Sequence, residues 1–253
     1  MSPLRPIPKD ANPDWLKPEA DPAELRRHAL ASFVRLGYRI TQGSRRSKLA
    51  RLWCAVAARL EGGDMRSATL REMLSKDWYV HLGAYSYGPC SMPGYWPPSV
   101  SVGRYVSVGP NVAVYTQNHP LDRISTHPYF YDARCGIVDE EELEPGLLRI
   151  EHDAWLGRNA VILPGCQRIG VGAVIGAGAI VTKDVPDFAI IGGVPGKLLK
   201  YRYDEQTQQR VLASRWWEKT PEALAGEPDQ MLKPAAEVLA AASAKADQLV
   251  DAS

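Results

Sequence analysis

No apolar run in this chain approaches the ~20 residues that a membrane-spanning helix requires. The opening stretch, MSPLRPIPKD, lacks the apolar core of a secretory signal, so a cytoplasmic protein is expected. Paired cysteines are missing too. Cys54, Cys90, Cys135 and Cys166 are widely spaced, with no C-x-x-C unit, which argues against a zinc cluster or a redox dithiol and for buried or bystander thiols. Net charge is nearly absent, at +1 over 253 residues, so the whole chain does not read as a polyanion binder. That balance hides an asymmetry. Residues 24–76 carry twelve Arg/Lys against four Asp/Glu, while DEEELE at 139–144 places five acids in six positions.

Four regions follow along the chain. Residues 1–20, with prolines at 3, 6, 8, 13 and 18, read as an extended arm in which Trp15 is a candidate anchor. Residues 21–78 read as a basic helical region. Asp21, Pro22 and Glu24 make a capping signal, with Leu25, Phe33, Leu36 and Ile40 as the apolar positions of the first helix. A second helix is expected from about Ser44 to Leu60, with Leu49, Leu52, Trp53, Val56 and Leu60 forming one stripe. Ser67 is a candidate cap for a third. The wet face of these helices explains the basic charge, and packing against the end of the next region, or against a partner molecule, is expected of them. Residues 204–253 read as helical again, with Asp204 as a cap, a start at Thr220-Pro221-Glu222, and an Ala-rich helix from Pro234 to Val250.

Between them, residues 79–203 have little helical periodicity. They repeat a six-residue unit: VGRYVS (102–107), VGPNVA (108–113), IEHDAW (150–155), LGRNAV (156–161), ILPGCQ (162–167), then, after one extra residue, Arg168, IGVGAV (169–174), IGAGAI (175–180) and VTKDVP (181–186). LGAYSY (82–87) is a weaker copy. Each unit has an aliphatic residue, usually Gly next, two free positions and a small residue or Val. A period of six fits a parallel β-helix, in which one unit makes one side of a triangular coil and about 18 residues close a turn. The aliphatic and small residues point inward, and Gly is expected to supply positive φ or a tight corner. Arg168 is expected to bulge a corner.

The pattern stops at YTQNHPLDRIST (115–126). Several motifs here resemble the hexapeptide-repeat acyltransferases, and within them the xenobiotic acetyltransferase branch, which includes type B chloramphenicol and streptogramin A acetyltransferases. They are NHPLDRIST (118–126), VTKDVP followed by GGVPGKLLKYRY (192–203), and RWWEKTPEAL (215–224). The resemblance covers roughly residues 79–225. It implies a mainly β fold, a left-handed parallel β-helix with an N-terminal helical segment and C-terminal helices, and a homotrimer with active sites at subunit interfaces. It implies acetyl-CoA as acyl donor with no metal. The excursion at 115–149 would carry His119 into the intersubunit cleft as general base. Gly157, Ala177, Thr182, Lys183, Lys197 and Lys200 match positions that line CoA. Asn118, Asp122 and Tyr129 are candidate acceptor-binding residues.

The chemistry suits an imidazole. An alcohol attacks a thioester poorly until its proton is removed, and a neutral imidazole in hydrogen-bond reach accelerates that step by roughly 10²–10⁴. The other ring nitrogen needs an orienting acceptor, for which Asp122, a loop glutamate or a backbone carbonyl would serve. His127 and His152 read as structural or surface residues. The expected reaction is O-acetylation of a carbohydrate-like or small-molecule acceptor. Alternatives are acetylation of an antibiotic, N-acetylation of an amino sugar, a non-catalytic β-helix binding protein, or an enzyme like the gamma-class carbonic anhydrases. The last needs two histidines about five apart plus one more, whereas His119 and His127 are eight apart. A nucleic-acid partner is not expected.

Overall fold

A computed structural model describes residues 25–41, 48–140, 143, 146–226 and scattered positions between 231 and 237. The proline-rich arm, the Asp21 cap, the start of the second helix at Ser44 and most of the Pro234–Val250 helix lie outside the described residues. The chain divides into two compact units, Met1–Lys200 and Tyr201–Ser253.

The first unit begins with three helices, α1 (Ala31–Thr41), α2 (Lys48–Leu60) and α3 (Ala68–Trp78). Ser67 caps α3 as its sequence predicts, accepting from Leu70 N at 3.1 Å. The helices bury only part of the stripes expected of them. In α1 the buried residues are Ala31, Val34 and Tyr38, while Phe33, Leu36 and Ile40 are exposed. In α2 they are Ala50, Cys54 and Ala57; of the expected stripe Trp53 and Val56 are half-buried against the core, while Leu49, Leu52 and Leu60 face outward. Small side chains let α2 approach its neighbours closely, so the small face packs and the large apolar face is left out.

Two buried ionic groups fix this helical region. The Glu61 carboxylate accepts from Ser67 Oγ (2.7 Å), Thr69 N (2.9 Å), Thr69 Oγ1 (2.5 Å) and His28 N (3.0 Å). Burial pushes its pKa up, but the hydrogen bonds from Thr69, Ser67 and His28 outweigh burial and hold it below the usual value. The buried Arg71 guanidinium donates to the carbonyls of Asp64 (2.6 Å), Ser67 (3.0 Å), Met65 (3.0 Å) and Gly83 (3.0 Å), tying α3 to the first coil.

The coils follow. Their strands are β1 (Val80–Leu82), β2 (Val100–Val102), β3 (Ser107–Val108), β4 (Ala113–Val114), β5 (Leu148–Ile150), β6 (Trp155–Leu156), β7 (Val161–Ile162), β8 (Arg168–Ile169), β9 (Val174–Ile175), β10 (Ile180–Val181), β11 (Ala189–Gly192) and β12 (Lys197–Tyr201). They form three sheets, ordered β1-β2-β5-β8, β10-β7-β4 and β12-β11-β9-β6-β3. Strands one coil apart pair in parallel, for example Ile150↔Ile169, Leu156↔Ile175 and Ile162↔Val181. This is a three-sided parallel β-helix. The aliphatic residue of each repeat forms an inward column, such as Val108, Leu156, Ile175 and Ile191, and every member is buried. The small residue or Val forms two more columns, Val106, Ala154 and Ala173 on one side and Val112, Ala160 and Ala179 on the next, all at 0–1% exposure.

Two details differ from expectation. The glycine after the aliphatic residue is not the residue with positive φ. That backbone state falls two positions later, at Tyr105, Asn111, Asp153 and Asn159, and in the later coils at Gly172 and Gly178. The preceding glycine is demanded by stacking: a Cβ on Gly157 would stand 2.6 Å from Ala177 N of the next coil. Arg168 does not bulge either. It sits in β8 opposite Arg149, and it bridges Glu151 (3.3 Å) and Asp187 (2.6 Å). The turn at 163–167 accommodates the extra residue.

The second unit holds α4 (Glu205–Ser214) and α5 (Pro221–Ala225), capped by Asp204 and Thr220 as their sequences predict.

Candidate active site

β4 ends at Val114 and the ladder resumes at Leu148, so the chain leaves the coil over residues 115–147. The exit and return are pressed together: a Cβ on Gly146 would fall on the Thr116 carbonyl oxygen. Between them the excursion bonds to itself. Arg123 Nη1 donates to the Phe130 carbonyl at 2.9 Å. His127 and Asp132 cap short 3-10 turns at Pro128–Phe130 and Ala133–Cys135.

His119 stands exposed in this excursion with its ring held. Nδ1 lies 2.8 Å from the Thr126 carbonyl oxygen and 2.7 Å from the Tyr131 hydroxyl. The Tyr131 ring meets the imidazole edge-on, with centroids 5.8 Å apart. A carbonyl only accepts, so Nδ1 carries the proton and donates it, with the Tyr131 oxygen sharing it. With the proton at Nδ1, Nε2 is the nitrogen left to accept, the arrangement a general base needs. The orienting acceptor is thus a backbone carbonyl, one of the three expected candidates. Tyr131 was not expected. It is the last of three consecutive aromatics, and nothing in the spacing separates it from Tyr129, whose exposed ring lies 4.6 Å from that of His127.

All four other histidines make local contacts: His28 Nδ1 accepts from Leu30 N at 3.1 Å and His81 Nδ1 lies 3.2 Å from Ser75 Oγ. His127 Nδ1 accepts from Tyr129 N, and His152 Nδ1 accepts from Arg104 N at 3.0 Å. Burial pushes the Cys54, Cys90 and Cys166 thiols up to about 12, so none of these supplies a thiolate at neutral pH. Among the described residues no group of three or more His, Cys, Asp or Glu is placed to hold a metal ion, and no helix is long and apolar enough to cross a membrane.

The remaining candidates fall into groups. Gly157 is buried and stacks directly on Ala177, which is exposed at the same corner one coil further on. Thr182 follows β10 with its carbonyl against Gly165, and Lys183 beside it is exposed. Lys197 and Lys200 are exposed in β12, three residues apart, and alternation along a strand sends them to opposite sides. Asn118 and Asp122 are exposed on the excursion beside His119.

The sequence is similar to those of known acetyltransferases. A chloramphenicol acetyltransferase of Agrobacterium fabrum is 33% identical over 148 residues, covering 55% of this chain and 69% of that protein. The chain belongs to the hexapeptide-repeat acetyltransferase family. Other members of the family match shorter stretches. An Escherichia coli chloramphenicol acetyltransferase is 36% identical over 124 residues (46% of this chain, 58% of that protein), and a Lactococcus lactis galactoside O-acetyltransferase is 35% identical over 116 residues (46% and 50%). The chain thus spans between half and about two thirds of these relatives. No family model matches. Among solved structures, a hexapeptide-repeat acetyltransferase of Vibrio cholerae complexed with acetyl coenzyme A aligns at TM-score 0.40 and 22% identity, covering 70% of this chain and 88% of that one.

Proposed function

We propose that this chain is an acetyl-CoA-dependent O-acetyltransferase, with His119 as general base and a hydroxyl of a carbohydrate-like or small molecule as acceptor. The observation that carries the proposal is the Nδ1-bound, Nε2-free imidazole on the excursion of an acetyltransferase-family β-helix. Nε2 removes the acceptor hydroxyl proton as its oxygen attacks the thioester carbonyl. The C–S bond then breaks, the acetyl group stays on the acceptor oxygen, and the proton passes to the departing thiolate to give CoA.

Family membership supports a left-handed coil and a homotrimer with the site between subunits. The excursion presents exposed Leu121 and Ile124, apolar surface of the kind a neighbouring subunit covers. The Gly157–Ala177 corner and Thr182-Lys183 are read as the wall for the pantetheine arm. One of Lys197 and Lys200 serves the CoA phosphates through a charge-assisted contact. Asn118, Asp122 and Tyr129 surround the acceptor.

Thiol release from acetyl-CoA, followed against a panel of sugars, sugar nucleotides, amino sugars and chloramphenicol, tests the reading. Acceptor-dependent release that falls by roughly 10²–10⁴ in His119→Ala supports it. Full activity in a folded His119→Ala variant sinks it.

A further inference from the structure

The outward faces of α1 and α2 form one continuous apolar surface. Phe33 is 63% exposed, Leu36 56%, Ile40 75%, Leu49 54% and Leu52 56%. In α1 these residues lie opposite the buried Val34 and Tyr38. The two helices abut along this side: the Phe33 and Trp53 rings are 6.0 Å apart, and a Cβ on Gly37 would lie 2.3 Å from the Trp53 ring. Five large apolar side chains, each more than half exposed on two abutting helices, make a cluster rather than scattered surface residues.

Its charge has one sign. Residues 31–60 contain seven Arg/Lys and no Asp or Glu. Arg27, Arg35 and Lys76 are matched by the Glu72 carboxylate at 2.6–3.0 Å. Arg39 and Arg59 are exposed and have no ion pair among the described residues. Two amphipathic helices with large apolar side chains outward and only arginine and lysine as charges match a surface that is apolar beneath and anionic above. A second copy of the chain would set arginine against arginine.

We propose that the α1–α2 face docks on an anionic lipid bilayer, lying in the headgroup layer rather than crossing it. This places the enzyme beside acceptors that are carried on, or delivered to, a membrane. The proposal does not depend on the acetyltransferase reading.

Co-sedimentation of the full chain with vesicles tests it. Binding to phosphatidylglycerol–phosphatidylcholine vesicles is expected to exceed binding to phosphatidylcholine alone by tenfold or more, and to fall steeply between low and 0.5 M salt. Replacing Arg39 or Arg59 with Gln should weaken it roughly fivefold each. A Leu36→Ser/Ile40→Ser/Leu52→Ser variant keeps every charge and alters only exposed positions, and should lose at least tenfold with an unchanged melting temperature. Equal binding to both vesicle types overturns the proposal, as does full binding by the folded triple variant. Light scattering supplies a further outcome: if the wild-type particle ignores vesicles and the triple variant has a lower mass, the face pairs copies of the chain and the lipid reading fails.

Discussion

Tyr131→Phe is the sharpest probe of the imidazole arrangement. The variant removes one oxygen, 2.7 Å from His119 Nδ1, and leaves the edge-on ring contact in place. The Thr126 carbonyl at 2.8 Å is backbone and remains, so the tautomer survives but the ring is held by one partner instead of two. A hydrogen bond of this kind is worth about 1 kcal/mol, which translates to roughly a fivefold fall in rate if the bond acts on the transition state. His119→Ala should cost far more, roughly 10²–10⁴. The decisive variant is the double. If Tyr131 acts only through His119, adding Tyr131→Phe to His119→Ala changes nothing further, because the group it positions has gone. The assay is the initial rate of thiol release at saturating acetyl-CoA over a range of acceptor concentrations, with the loss expected in kcat rather than in KM. A fivefold loss that recurs in the His119→Ala background would show that Tyr131 acts elsewhere, on the acceptor or on the shape of the loop. No loss in the single variant would refute the positioning role outright.

Three further outcomes follow from the coil and its helical region. Gly157→Ala drives a methyl group into the backbone of the next coil and should destabilise by about 1–3 kcal/mol, read as a melting point several degrees lower; an unchanged melting point with only a raised KM for acetyl-CoA would contradict the stacking explanation. Ile175→Ala empties an inward site between Leu156 and Ile191 and should cost about 2–5 kcal/mol in urea unfolding. Glu61 has a folded pKa below its ordinary value of 4.5, so its contribution is full above the unfolded pKa and is lost as pH falls through the folded one. Urea midpoints should therefore drop on acidification below about pH 5 and drop less in Glu61→Gln, and parallel pH curves for the two proteins would remove Glu61 from the account.

The coils were legible because their rule is local. An aliphatic residue and a small one four positions later recur at a spacing set by one side of the triangle, and pairing of Leu156 with Ile175 follows from counting. The helices were less legible for a physical reason. α2 has apolar residues over more than half its circumference, and periodicity locates that arc without saying which part meets the protein. Depth of approach decided it in favour of Ala50, Cys54 and Ala57. Asp204 and Thr220 were readable because a cap needs only the next three residues. The partner of His119 was not, since Tyr131 lies twelve residues on, across two irregular turns with no period to count. Glu61 and Arg71 were hidden likewise, because only the fold reveals that a charged residue is buried.

The excursion has a consequence for how such an enzyme can change. Val100↔Leu148 and Ala113↔Val161 pair as though residues 115–147 were absent. Its two ends are already fixed side by side by the ladder, so each doubling of the intervening length adds only about 0.6 kcal/mol of closure entropy. Beyond Tyr115, whose N–H still donates to the Ile162 carbonyl, insertions, deletions and replacements in that segment leave the paired strands of the scaffold untouched. On the proposed assignment of the acceptor to this excursion, acceptor preference is free to drift while the coil stays still, and grafting an excursion from one member onto another should carry its choice of acceptor with it.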